Sequence, residues 1–177
     1  WQPHNDDKKY HGRIPTYVAM ARSMNVPTVK IGMRVGLNHV RDTLMNVGID
    51  KSRIPFYPSM LLGTIELTPF EVTQIYTSLA TDGSYKDLTT LRTVVKDGKV
   101  VYERASTRVK PTLDPRDSYL TMYVMTEATK IGTGRRIGRL FPNVNIATKT
   151  GTTNDSRDTW SVGIDSDQVV ATWVGFD

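Results

Sequence analysis

No cysteine occurs among the 177 residues. That excludes a disulfide scaffold, a thiolate zinc site and a cysteine nucleophile, and it leaves the redox environment open. Histidine is nearly as scarce. His4 and His11 lie in a polar N-terminal stretch and His39 near a predicted helix start. They are too scattered for a metal cluster, so no metal site is expected. No apolar run approaches the roughly 18 residues of a membrane span, and Trp1 is followed by no apolar signal core or cleavage site. Charge of one sign is also lacking: 23 Lys and Arg against 18 Asp and Glu leave a net +5, which solubility explains as readily as an anionic partner. Lys130, Arg135, Arg136 and Arg139 cluster, but without interleaved aromatics or a helix-turn-helix pattern, so no nucleic acid is expected. The segment Gly132-Thr-Gly-Arg-Arg-Ile-Gly138 follows a predicted helix and lacks the Gly-Lys-Ser/Thr ending of a phosphate loop; a tight turn flanked by solvated arginines is expected there.

What is present suits a globular chain. Hydrophobic residues at 38% and charged residues at 23% are ordinary, and rule out a disordered tail or a coiled-coil rod. The length suits one domain or part of one. The chain begins in polar residues and stops at Val174-Gly-Phe-Asp177, directly after a strand-like run. Both ends are therefore expected to be cuts in a longer protein, with any membrane anchor outside this piece.

Residues 1–13 read as loop. A helix is predicted after Pro15, with Tyr17, Met20 and Ala21 on one face, ending near Ser23-Met24-Asn25. Pro27 is expected to open the next helix at its first position, Gly36 to end it, and Val40, Leu44 and Val47 to line a third that stops at Gly48. Residues 50–64 read as a connector. Thr68, Pro69 and Glu71 form a capping-box start for a helix with Val72, Ile75, Tyr76 and Leu79 as its stripe. Asp97-Gly98 joins two strand-like runs, 91–95 and 99–103, into a hairpin. Residues 105–114 read as loop, and Asp114-Pro115 starts a long helix with Tyr119, Met122, Tyr123 and Thr126 on one side. Strands are predicted over 144–149, 159–164 and 168–174, forming an antiparallel meander. The pattern is α+β, an antiparallel sheet flanked by helices. It forms a single partial domain, 1–177, with a mainly helical part over 1–143 and the strands over 144–177.

Two short segments carry chemistry. Ser23-Met24-Asn25 sits at a helix break, which exposes side chains. Lys149-Thr150-Gly151-Thr152-Thr153 ends an apolar strand and leads into a polar turn. Each is weak alone; together, in this order, they resemble the Ser-x-Asn and Lys-Thr-Gly elements of the penicillin-binding protein and serine β-lactamase superfamily. Longer runs strengthen the likeness: "ARSMNVPTVKIGMRVGL", "MLLGTIELTPFEVTQIYTSLATDG", "GTGRRIG", "ATKTGTTNDSRDTWSVGID" and "VVATWVGFD". The whole chain resembles the transpeptidase domain of class A, bifunctional penicillin-binding proteins, most of all the type 1b branch of Gram-negative bacteria.

The resemblance implies a serine D,D-transpeptidase that cross-links peptidoglycan stem peptides and is acylated by β-lactam antibiotics. It also implies a place on the periplasmic face of the inner membrane, a parent that polymerises lipid II-derived glycan as well, and acyl transfer that uses no metal or organic cofactor. Partners so implied are the stem peptides, an outer-membrane lipoprotein activator and divisome proteins, and the processes are cell shape, cell-wall biogenesis and antibiotic resistance. Ser23 would pass a proton to the leaving amine, and Asn25 would orient the base lysine and the substrate backbone. Lys149 would supply a fixed positive charge. Thr150 and Thr152 would meet the substrate carboxylate, Gly151 would let the peptide lie along the strand edge, and the Thr152 N–H would form half of an oxyanion hole. Gly134 is expected to line the cleft. The simpler alternatives are a helix cap for Ser23, local turn bonding for Asn25 and an exposed strand lysine for Lys149.

One departure bears on all of this. None of the ten serines, at 23, 52, 59, 78, 84, 106, 118, 156, 161 and 166, has lysine three residues later. The family's Ser-x-x-Lys nucleophile is absent, and these residues alone are expected not to form an acyl-enzyme. Two rivals stand beside the transpeptidase reading: a carboxypeptidase or β-lactamase of the same superfamily, and a non-catalytic binding module.

Overall fold

The computed structural model describes residues 1–105 and 109–176, apart from the Asn154 side chain. After the irregular N-terminal stretch come α1 (Thr16–Ala21), α2 (Asn25–Val35) and α3 (Leu37–Asn46). Helix α2 starts two residues earlier than the sequence suggests, so Val26 is helical and Pro27 lies inside the first turn. The first N–H groups of a helix have no intrahelical acceptor, and proline costs little there. Two 3₁₀ turns, Lys51–Arg53 and Pro58–Leu62, fill the connector. Helix α4 (Pro69–Ala80) opens on the expected capping box: the Glu71 N–H donates to Thr68 Oγ1, and the Thr68 N–H donates to Glu71 Oε2 at 2.8 Å.

Strands β1 (Ser84–Tyr85), β2 (Thr93–Lys96), β3 (Lys99–Glu103) and β4 (Lys110–Pro111) follow. The β2–β3 hairpin turns through Asp97 and Gly98, both at positive φ (51° and 73°), as a two-residue turn matching strand twist requires. Pairing of β1 with β4 is a correction, since β4 falls in the loop expected over 105–114 and β1 in a stretch given no assignment. Residues 106–108 of that expected loop lie outside the described residues.

Helix α5 (Pro115–Ile131) buries Ser118, Met125 and Ala128, with Met122 against the core, whereas Tyr119 and Tyr123 face solvent. The predicted face is thus rotated: small residues let the helix approach its neighbours closely, and the tyrosines reach water. Arg135–Leu140 form a short helix, α6, rather than the expected tight turn.

The final third is a three-stranded antiparallel sheet in the order β5 (Ala147–Thr152), β6 (Asp158–Ile164), β7 (Val169–Gly175). Strand β5 starts three residues later than predicted, because β6 ends at Ile164, opposite Ala147, and earlier residues have no strand to pair with. Met125, Ala147, Val162 and Ile164 form one buried cluster, packed by Met20 of α1, Val72, Tyr76 and Leu79 of α4, and Met122. Helices and sheet therefore share one core. A second cluster of Ile49, Ile54 and Met60 lies under α3 and α4. No helix among the described residues is long and apolar enough to cross a membrane.

Candidate active site

Ser23 follows helix α1 in a left-handed conformation, φ 54°. Its N–H donates to Met20 O at 2.9 Å, and the next N–H, of Met24, donates to Ala19 O at 2.9 Å. This is a Schellman closure with serine at the position glycine usually holds. Helix α3 closes in the same way through Gly48, φ 99°, with Gly48 N donating to Met45 O and Ile49 N to Leu44 O. Glycine adopts this conformation without strain; a Cβ-bearing residue does not. Residue 23 thus keeps a hydroxyl where the backbone favours none.

That hydroxyl meets Lys149 of β5. Lys149 Nζ donates to Ser23 Oγ at 2.7 Å, across 126 positions of chain, and to Thr150 O at 2.6 Å. Burial disfavours the charged ammonium and pushes its pKa below the ordinary lysine value. The exposed-lysine alternative does not describe Lys149, which is half-buried with its ammonium bonded to Ser23 and to Thr150 O. The helix-cap alternative for Ser23 is excluded: α2 is preceded by Met24 and receives no side-chain bond from residue 23. A hydroxyl donates and accepts at once, so Ser23 can take a hydrogen bond from Lys149 and give its own proton to a third group.

Among the described residues strand β5 lies at the margin of its sheet, with β6 on one side only. By strand alternation Thr148, Thr150 and Thr152 share a face. Thr148 is fully buried and bonds to Val162 O, whereas Thr152 is exposed. Thr150 Oγ1 donates to Thr133 Oγ1 at 2.7 Å. Thr133 lies between the buried Gly132 and Gly134, and its N–H donates to Ala21 O at 3.2 Å. A Cβ at residue 132 would overlap that same Ala21 carbonyl, and one at residue 134 would overlap Thr148 Cγ2. The two glycines bring the end of α5 against α1 and β5, and so bring Thr133 to the site. Sequence reasoning noted Gly134 and missed Thr133; two glycines flanking one hydroxyl were the available signal.

Asn25 opens α2, and its Nδ2 donates to His4 O at 2.9 Å, a long-range bond rather than local turn bonding. Beyond Thr152, the turn carries Asp155 and Ser156 at positive φ and is closed by Thr153 and Asp158. Asp158 also accepts from Trp173 Nε1 at 2.9 Å, and Trp160 and Trp173 pack together with ring centroids 6.4 Å apart. These carboxylate and indole groups shape the turn and the sheet face. Two concavities of about 160 and 480 Å³ lie elsewhere, one between α3 and α4 and one beside α6; Ser23, Asn25 and Lys149 line neither.

The family model described as the penicillin binding protein transpeptidase domain matches residues 1–177. The chain is 43% identical over 178 residues to penicillin-binding protein 1B of Vibrio cholerae, covering all of this chain and 23% of that protein. It is 43% identical over 180 residues to penicillin-binding protein 1B of Escherichia coli K12, again over the whole chain and 21% of the relative. The chain thus spans less than a quarter of the length of these relatives. Among solved structures, penicillin-binding protein 1A from Haemophilus influenzae superposes with a TM-score of 0.93 at 20% identity, over 100% of this chain and 32% of that one. Penicillin-binding protein A from Mycobacterium tuberculosis, in its imipenem acyl-enzyme complex, gives 0.81 at 19% identity over 97% and 45%. These likenesses show the fold.

Proposed function

This chain belongs to the penicillin-binding protein transpeptidase family, and we propose that it is the part of a serine D,D-transpeptidase that supplies the proton relay and the substrate-binding strand. The observation that supports this most is the 2.7 Å bond from Lys149 Nζ to Ser23 Oγ, which joins the two sequence motifs in space.

In this reading a serine outside these 177 residues, activated by its own lysine, attacks the carbonyl carbon of a D-Ala-D-Ala amide. An unactivated hydroxyl is a poor nucleophile, and the lysine takes its proton. The tetrahedral oxyanion is held by the Thr152 N–H and by the nucleophile's own N–H, an arrangement worth roughly 3 kcal/mol per donor in comparable enzymes. As the C–N bond breaks, Ser23 gives its proton to the departing D-alanine amine and takes in return the one held by the base lysine, while Lys149 holds the Ser23 hydroxyl in place. An amine of a neighbouring stem peptide then attacks the ester and releases the serine. Thr150, Thr152 and the Lys149 charge receive the substrate's terminal carboxylate, Gly151 leaves room for the peptide along the free edge of β5, and Asn25 orients base and substrate backbone. β-Lactams would acylate the same nucleophile. The longer protein would be membrane-anchored with this domain on the periplasmic face, would also carry glycosyltransferase activity, and would work with an outer-membrane activator and divisome proteins.

Incubating the longer protein with lipid II and analysing the muropeptides tests this reading. Cross-linked dimers are expected. Trimmed monomers alone would make it a carboxypeptidase, and unchanged peptides would overturn it.

A further inference from the structure

Asn5 stands out in an otherwise solvated stretch. Residues 1–13 are exposed or half-buried except for Asn5, at 6% exposure. Its Nδ2 donates to Lys9 O at 2.7 Å, and its Oδ1 accepts from the Val26 N–H at 3.0 Å. Val26 is the second residue of α2, whose first-turn N–H groups have no intrahelical acceptor. Met24, before the helix, offers no side-chain oxygen, and the first turn holds no acidic residue. Asn5 therefore caps α2 from 21 positions upstream, a task normally done by the residue next to the helix. The adjacent residue completes the grip, since His4 O accepts from Asn25 Nδ2 at 2.9 Å. Residues 4 and 5 thus hold residues 25 and 26, two and three positions beyond the strained Ser23.

We infer that Asn5 is a positioning residue for the acyl-transfer site: it docks the N-terminal strap on the start of α2 so that the His4 carbonyl fixes the sense of the Asn25 amide. With Nδ2 committed to His4 O, the Asn25 Oδ1 and its second N–H keep fixed directions toward other partners. An acceptor and a donor on one amide are what a base lysine and a substrate carbonyl require together. Loss of the Asn5 cap frees the strap, and the Asn25 amide can then rotate. Displacements of this size at a reacting centre cost large factors in rate.

The inference rests on the transpeptidase reading, and one experiment separates their failures. The rate of covalent labelling by fluorescent penicillin is measured for the longer protein and for Asn5→Ala, Asn5→Asp, Asn25→Ala and the Asn5→Ala/Asn25→Ala double variant. Asn5→Ala is expected to label about ten-fold more slowly. Asn5→Asp keeps the acceptor for Val26 but loses the donor to Lys9 O, and is expected to label more slowly than the parent and faster than Asn5→Ala. In the Asn25→Ala background Asn5→Ala is expected to cause no further loss, because a residue acting through Asn25 has nothing left to position. Equal rates for Asn5→Ala and the parent, or the same fold-loss with and without Asn25, overturn the positioning role. If Asn5→Ala does not fold, the same cycle is run with Asn5→Asp: a loss of the same size with and without Asn25 in folded variants overturns it. An unlabelled parent overturns the transpeptidase reading, and this inference with it.

Discussion

Ser23 and Lys149 show how one pair of side chains sets local structure against chemistry. Ser23 holds a left-handed conformation that glycine adopts freely, at a cost of roughly 1 kcal/mol. Ser23→Gly and Ser23→Ala both delete the hydroxyl, so the hydrogen bond to Lys149 cancels between them. The glycine variant is expected to be more stable than the alanine variant by about 1 kcal/mol in urea unfolding, with both defective in acyl transfer. Lys149 carries a second signature. Burial lowers its folded pKa below 10.5, so between that lowered value and 10.5 the unfolded chain binds more protons than the folded one. Stability contributed by residue 149 therefore rises with pH across that window. Wild type is expected to gain stability relative to Lys149→Met between pH 7 and about 10.5, measured by urea unfolding; a flat or falling difference contradicts this. At this scale the sequence revealed residues that belong to recurring tripeptides. Thr133 and Asn5 stayed hidden because their partners, Thr150 and Val26, lie 17 and 21 positions away, and no local pattern encodes a side chain reaching that far.

Among the elements, those with local signals were readable and those fixed by partners were not. The α4 start was visible because Thr68, Pro69 and Glu71 interact within one turn. Glu71 is held near a pKa of about 2, chiefly by the Arg53 guanidinium and then by the Thr68 N–H, so its contribution persists above about 4.5 and fades as pH falls toward 2. Thr68→Ala removes the cap acceptor, and a loss of about 1 kcal/mol is expected at neutral pH in chemical denaturation. The β2–β3 hairpin was visible through Asp97-Gly98. Strand β5, by contrast, was displaced by three residues, because the alternation at Val144 and Ile146 resembles a strand while the end of β6 decides where pairing starts. Strands β1 and β4 are two residues each, too short to show any period. The buried face of α5 was misjudged because Ser118 and Ala128 look polar or neutral in a hydrophobic pattern yet pack most tightly.

Over the whole molecule, the helices and the sheet close on one core, and that core places the two motifs side by side. Ile164, 1% exposed, lies in it beside Val162 and Met125, whereas Val100 on the hairpin is 58% exposed. Ile164→Ala is expected to cost about 3 kcal/mol, and Val100→Thr less than about 0.5, by thermal or urea unfolding. The α+β class and the meander were legible because periodicity changes along the chain; the meeting of residues 23 and 149 comes only with the packing of α1, α5 and β5. The most direct test is covalent labelling of the longer protein by fluorescent penicillin, with and without Lys149→Ala. Rapid labelling of the parent and a loss of about 100-fold or more in the variant is the predicted result; a folded variant labelled as fast as its parent would contradict the account.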